Sequence, residues 1–414
     1  MRKRILVAVA SVVLAALILL LLPASPDVPD ISTNPTDPTQ TFPTTQPSGT
    51  TYPTTQPVDP GVVRLYSCDE GVRAVFAELA TEYTALTGVE VVVLSQEDDG
   101  CQATLQRYME SEDPPTVLCV HSQSQLTQWQ DTLLDLDDTA LAQALCNDGL
   151  GLRLDGKLLA IPAAVEGYGL LVNAELLGTK GALSRNDIFD LSSLSTAVQI
   201  LKNNSVKAFP TPAATLQDAW LLLMGEELDD ARDFLDLYIA NGNKSGDARE
   251  QFQSGMAAFF PGGSWEYEAL ATVENSDFHV RNLDILPNFT AGAMQYVCST
   301  AWCVNASARQ EDIQSTLAFL SWMVTAGEDA PAPVDRLQKL TPFADAAWYG
   351  NQLEKKLRGY MQTEAAVVQW KNAEAGDRLL LALTDYMAEN TDEKWETLRL
   401  AVDAVKAENG YDFE

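Results

Sequence analysis

At 414 residues, with 46% hydrophobic side chains, the chain is long enough for two domains of ordinary size and a sizeable core. A net charge of -31 sets it against nucleic acid and anionic lipid as partners. The two histidines, His121 and His279, stand far apart and no cysteine pair has CxxC spacing, which argues against a His-based catalytic site and a zinc site, so no metal and no cofactor are expected.

The chain opens with "MRKR" and an uninterrupted apolar run, Ile5 to Leu22. A basic start followed by 18 apolar residues is an export signal, and it is also long enough to span a bilayer. Residues 1–23 are therefore expected to be a signal peptide or an N-terminal membrane anchor. Residues 24–60 are rich in Pro and Thr, and "FPTTQP" (Phe42–Pro47) recurs as "YPTTQP" (Tyr52–Pro57). This composition cannot build a core and reads as an extended tether, reaching on the order of 100 Å at ~3 Å per residue.

The folded part begins at Val62. "VVRLYS" reads as a strand, and Val72, Val75, Phe76, Leu79, Tyr83 and Leu86 mark one face of a helix ended by Gly88. "VEVVVLS", a helix over about 101–111, "PPTVLCVH" and a helix from about 124 continue the alternation. Continuous apolar strands between helices predict a parallel sheet covered on both faces. Asp155 and Gly156 form an Asp-Gly hairpin turn, followed by an extended run ending near Asn173. Residues 186–254 read as mostly helical. Strands return at "MAAFF", "HVRNLDILP" and "MQYVCSTAWCVNA", and the C-terminal quarter reads as helical again. In an exported chain the six cysteines allow disulfides. Cys298 and Cys303 could close a small loop by a disulfide; buried free thiols are the alternative.

Several segments together resemble the family-1 extracellular solute-binding proteins of ABC importers, of which maltose-binding protein is a familiar member. They are "VVRLYSCDEGVRAVFAELATEYTALTGVEVVVL", "SEDPPTVLCVHSQSQLTQWQDTLLDLDD", "DGKLLAIPAAVEGYGLLVNAELL" and "FQSGMAAFFPGGSWE". A fifth, "VCSTAWCVNASARQEDIQSTLAFLSWMVTAG", looks like the returning strand and helix of clostridial members. The sequence departs from the family pattern in lacking the lipoprotein cysteine, and in carrying Thr116 and Ala174 where the family has Asp and Lys.

The resemblance implies an α/β, two-lobed periplasmic-binding-protein-like fold of type II. Each lobe is expected to hold a covered, mostly parallel sheet, and crossover hinge strands to join them. The N-lobe is expected to hold 62–166 and 298–336, and the C-lobe 167–297 and 337–414. Ligands of open α/β sheets sit beyond the C-terminal strand ends. Here those ends carry Asp69 and Glu70, then Ser122 and Gln123, then Trp265 behind Gly262 and Gly263. A flat indole suits the C–H face of a sugar ring, while carboxylates accept bonds from its hydroxyls. Glu166 stands where the family places a sugar-binding glutamate. Tyr168, Trp302 and Trp348 are further aromatic candidates.

Together with the apolar run Ile5–Leu22, the resemblance implies a monomeric, extracellular protein, tethered at a Gram-positive surface through its N-terminal helix or secreted. It would capture a carbohydrate, an oligosaccharide first of all, and deliver it to ABC permease subunits without performing chemistry. Rival readings are a cationic ligand such as a polyamine, a ligand sensor, and a secreted glycosidase, for which no hydrolase motif is present.

Overall fold

The computed structural model describes residues 60–409 apart from 98–99, 213–222, 224–227, 274–276, 288–292, 329, 348–349 and 372. The apolar run Ile5–Leu22 and almost all of the Pro/Thr-rich stretch lie outside the described residues. Within them, no helix is long and apolar enough to cross a membrane.

The first units alternate as their apolar spacing requires: β1 (Val63–Tyr66), α1 (Glu70–Thr87), β2 (Val91–Leu94), α2 (Cys101–Met109), β3 (Val117–Val120) and α3 (Gln123–Trp129). Val72, Phe76, Leu79, Ala80 and Tyr83 form the buried face of α1, and the Asp69 carboxylate caps its start by accepting from the Val72 N–H at 3.0 Å. Next come β4 (Leu152–Leu154) and β5 (Lys157–Pro162), joined by a tight turn. Asp155 and Gly156 there have φ of 51° and 76°, as a two-residue hairpin demands. The long strand β6 (Glu166–Asn173) leads into α4 (Leu191–Asn203), α5 (Leu228–Asn241) and α6 (Ala248–Gln253). The strands β7 (Phe259–Gly263), β8 (Leu283–Leu286), β9 (Met294–Cys298) and β10 (Ala301–Val304) precede α7 (Gln310–Val324) and α8 (Gln352–Thr363). The chain closes with β11 (Ala366–Trp370), α9 (Ala373–Ala388) and α10 (Asp392–Asn409). The C-terminal quarter therefore contains a strand, β11, which its helical spacing hides.

Two sheets result. The first has the order β2-β1-β3-β10-β5-β4; the second runs β11-β9-β6-β7, with β8 also on β6. Both are mixed, which corrects the expectation of mostly parallel sheets. In the first, β2, β1 and β3 are parallel, while β10 runs against both β3 and β5, and β4 against β5. In the second, β6 runs against β7, β8 and β9, and only β11 and β9 are parallel. Continuous apolar runs report burial on both faces, not strand direction. Direction follows from the connections: parallel neighbours need a long crossover, whereas the two-residue links before β5 and β10 reverse or simply extend the chain.

The chain passes between the sheets at three places. Residues 163–165 link β5 to β6, 299–300 link β9 to β10, and a third pass runs near Leu340. These passes lie side by side, with Ala163 N–H donating to Thr300 O (3.1 Å) and Val165 N–H to Leu340 O (2.8 Å). Arg358 on α8 fastens the third pass by donating to the carbonyls of Thr341, Phe343, Ala344 and Ala346.

One disulfide is formed among the described residues, between Cys68 and Cys101, with Cα atoms 5.6 Å apart. It ties the loop after β1 to the start of α2. The expected Cys298–Cys303 pair is not formed, because these thiols belong to strands of different sheets: Cys298 sits opposite Trp370, and Cys303 opposite Leu118. Both are buried, and burial pushes their pKa values up, as it pushes that of Cys119 to about 12. These three thiols stay protonated and unreactive.

Candidate functional site

The two sheets present an edge to each other, and the connections show which. In the first sheet β5 ends, and β10 begins, at the crossover edge. Ala301 pairs with Val120 and Leu65 with Val117, so β3 and β1 end there too. In the second sheet β6 begins and β9 ends at the crossover edge. Trp370 pairs with Cys298 and Tyr168 with Gly263, so β11 and β7 end there as well. The loops after β1, β3, β7 and β11 thus face a common space between the lobes.

On the second-sheet side, Glu166, Tyr168 and Trp265 come together. Gly263 is the last residue of β7, directly opposite Tyr168. A Cβ on Gly263 would stand 2.2–2.5 Å from the six-membered ring of Trp265, so the indole lies flat on a backbone that only glycine leaves bare. The Tyr168 ring stacks on the indole with centroids 6.0 Å apart and planes 10° from parallel. Ser264 opens the short helical turn Ser264–Glu266, and its buried hydroxyl accepts from Gly167 N–H at 3.2 Å and pins that turn to β6. The Glu166 carboxylate pairs with Lys371 at 2.9 Å, both side chains being 39% exposed. The Lys371 ammonium also stands over the Trp265 ring, 4.6 Å from its centroid. Lys371 is held there by its backbone, whose N–H donates to Cys298 O at 2.8 Å. Glu354 lies close by. Burial raises its pKa, and the charges of Glu166 and Glu268 add to the rise.

On the first-sheet side, Gln123 reaches across: its Oε1 accepts from Trp370 Nε1 at 3.0 Å, joining α3 to the end of β11. Ser122 caps α3 and accepts from Gln125 N–H. Asp69 is committed to its own helix cap, and Glu70 is exposed in the first turn of α1. His121 joins β3 to the crossover: its Nδ1 lies 3.0 Å from Ser299 O and 3.1 Å from Thr300 Oγ1. A carbonyl only accepts, so Nδ1 carries the proton. Burial lowers the pKa of His121, against the Ser299 carbonyl and the Asp69 charge.

Two expected residues do not join this group. Trp302 is a core side chain with no exposed surface, stacked on Phe343 (5.8 Å, 13°) and tilted against Phe76. Its position in mid-strand on β10 turns it into the first lobe rather than towards the space between lobes. Trp348 lies outside the described residues. Conversely, sequence reasoning missed Lys371 and Trp370. The signal was "AVVQWK", a β-branched run ending in an aromatic and a cation, overlooked between two helical patterns. A separate cavity of about 1020 Å³ on the first lobe, lined by Glu82, Trp322 and Arg336 among others, contains none of these residues. It lacks convergent strand ends.

Residues 78–347 match the family model described as bacterial extracellular solute-binding protein. No curated protein sequence matches the chain. Among solved structures, the bacterial solute receptor AcbH, reported with an exclusive preference for β-D-galactopyranose, is 16% identical with a TM-score of 0.64 over 84% of this chain and 99% of that one. A family 1 extracellular solute-binding protein from Alicyclobacillus acidocaldarius is 10% identical, with a TM-score of 0.63 over 84% and 99%. The cyclic α-maltosyl-1,6-maltose binding protein of Arthrobacter globiformis is 17% identical, with a TM-score of 0.56 over 84% and 99%.

Proposed function

The chain belongs to the bacterial extracellular solute-binding proteins, a family of binding proteins rather than enzymes, and on that premise we propose that it captures a neutral carbohydrate between its lobes and hands it to an ABC permease. One observation carries this reading. An indole backed by Tyr168 stands beside the Glu166–Lys371 pair, at the strand ends where the lobes face each other. An aromatic face takes the apolar side of a sugar ring, and a carboxylate beside it accepts from the ring's hydroxyls. That the AcbH and cyclic maltosyl-maltose receptors are described as sugar binders supports the same reading.

The pair also weighs against a polyamine, since Lys371 already neutralises Glu166 and would repel a second ammonium. In this reading the lobes comprise 62–166 with 298–336, and 167–297 with 337–414. The three passes act as the hinge, and ligand favours a closed arrangement. Residues 1–23 would anchor the chain, or be cleaved on export, and 24–60 would tether it. A calorimetric and thermal-shift screen of the full chain against neutral mono- and oligosaccharides, polyamines and uronic acids tests the proposal. Binding of polyamines alone would overturn it.

A further inference from the structure

The side chains around Trp265 make contacts that the carbohydrate reading leaves without a role. The Trp265 indole lies on the bare backbone of Gly263 and against Tyr168, and the Lys371 ammonium stands over the same ring. The same ammonium holds Glu166 at 2.9 Å. The group that would stack on the sugar and the group that would accept its hydroxyls are therefore both engaged by one side chain. That side chain is 39% exposed and sits on a loop rather than in the packed core, so it can be moved. The preceding residue, Trp370, is buried and bonded to Gln123 across the lobes, which fixes the backbone from which Lys371 projects.

We propose that Lys371 is an internal occupant of the binding site, one that covers Trp265 and holds Glu166 until a ligand displaces it. This rests on the reading of Trp265 and Glu166 as the sugar-contacting pair. Three consequences follow from the chemistry. A neutral polyhydroxylated ligand replaces the ammonium on the indole and shares Glu166 through its hydroxyls, and the freed ammonium swings into solvent. A cationic solute is repelled by the ammonium standing over the indole before it can displace it. An anionic solute meets Glu166, with Glu268 and Glu354 nearby, once the neutralising cation has left. Lys371 therefore lowers the affinity for the neutral ligand and sharpens the choice against charged ones.

The test uses the full chain in three forms: wild type, Lys371→Ala and Lys371→Met. Removing the occupant should tighten binding of the neutral saccharide found in the screen by about three- to tenfold in Lys371→Ala, the range expected for losing one exposed ion pair and one exposed cation–π contact. Lys371→Met keeps a stem that can cover the ring without the charge, and should fall between the two. Raising the salt concentration should tighten saccharide binding by the wild type, because screening weakens the internal pair, and should leave Lys371→Ala unchanged. Affinity that is equal or weaker in Lys371→Ala overturns the proposal and would make Lys371 an ordinary hydrogen-bond donor to the ligand. A second arm needs no ligand. In free wild-type protein the ε-methylene protons of Lys371, identified by their loss in Lys371→Ala, should show an upfield ring-current shift that Trp265→Leu abolishes. An ordinary shift in the free protein overturns the proposal even if saccharides bind. Failure of every saccharide to bind wild type and both variants refutes the carbohydrate reading, and the ring-current arm then decides the occupancy alone.

Discussion

The Trp265 indole owes its position to a residue without a side chain. Gly263 has extended backbone, φ -124° and ψ -177°, which any residue adopts, so its requirement is space and not conformation. Gly263→Ala should push the ring off β7, because a methyl group cannot sit 2.2–2.5 Å from aromatic carbons. The expected result is a loss of saccharide affinity of about 1–3 kcal/mol, with the second lobe still folded by circular dichroism; unchanged affinity would place the ligand elsewhere. Trp265→Ala should weaken binding by more than the ~0.5–1.5 kcal/mol of an aromatic stack, since buried area is lost with it. Its melting temperature should fall only modestly, because the indole is half-buried at the margin of the core. Calorimetry and thermal melts on one sample separate the two effects. The residues of this site were partly legible in the sequence. "PGGSWE" announces a bare turn followed by an aromatic, and Glu166 and Tyr168 sit two apart on one face of a strand. Trp302 misled because a tryptophan in mid-strand reads the same whether its face is buried or open. Lys371 went unread because nothing local in "WK" tells which face of another strand it will cover.

At the level of elements, the sequence displayed the strand and helix alternation up to α3 but hid strand direction, and it hid β11 between helical stretches. Periodicity measures burial; pairing partners are set by connections that can lie hundreds of residues away, as for β3 and β10. Two ties between elements can be tested. The Cys68–Cys101 bond closes a loop across a separation of 33 residues. On chain-entropy grounds its replacement by serines should cost up to about 3–4 kcal/mol of stability, read by denaturant unfolding. Unchanged stability would mean that the first-lobe sheet constrains this loop by itself. The second tie is His121, which joins β3 to the 299–300 crossover. Its pKa is lowered in the folded chain, burial being the main cause. Between that lowered value and the unfolded value of about 6.5, the unfolded chain binds more protons, so stability is lost as pH falls through this window. His121→Gln should therefore show a smaller drop in melting temperature between about pH 7 and pH 5 than the wild type. An equal drop would assign the acid sensitivity to other groups.

For the molecule as a whole, the decisive feature is that both sheets are built from separated stretches of chain. The first takes residues 63–162 and then 301–304; the second takes 166–298 and then 366–370. Neither half of the sequence can complete a sheet alone, so a cut at any point between β1 and β11 leaves at least one sheet without a central or edge strand. Three passes joined by two backbone hydrogen bonds are the covalent route between the lobes. Away from those passes, the Gln123–Trp370 bond crosses between lobe elements. Such a joint can rotate by small changes in three extended segments while each sheet keeps its ladder. On the proposed function, ligand would shift this joint, so that loaded and empty protein present different shapes to a permease. Spin labels at Glu78 on α1 and Leu381 on α9, both exposed, report the separation of the lobes. Saturating saccharide should shorten and narrow the measured distance distribution, and Gln123→Ala should broaden it in the free protein by removing one of the cross-lobe bonds. A distribution that saccharide leaves unchanged, in a sample shown by calorimetry to be saturated, would mean that the lobes form a rigid receptor, and that any signal to the membrane comes from the ligand itself.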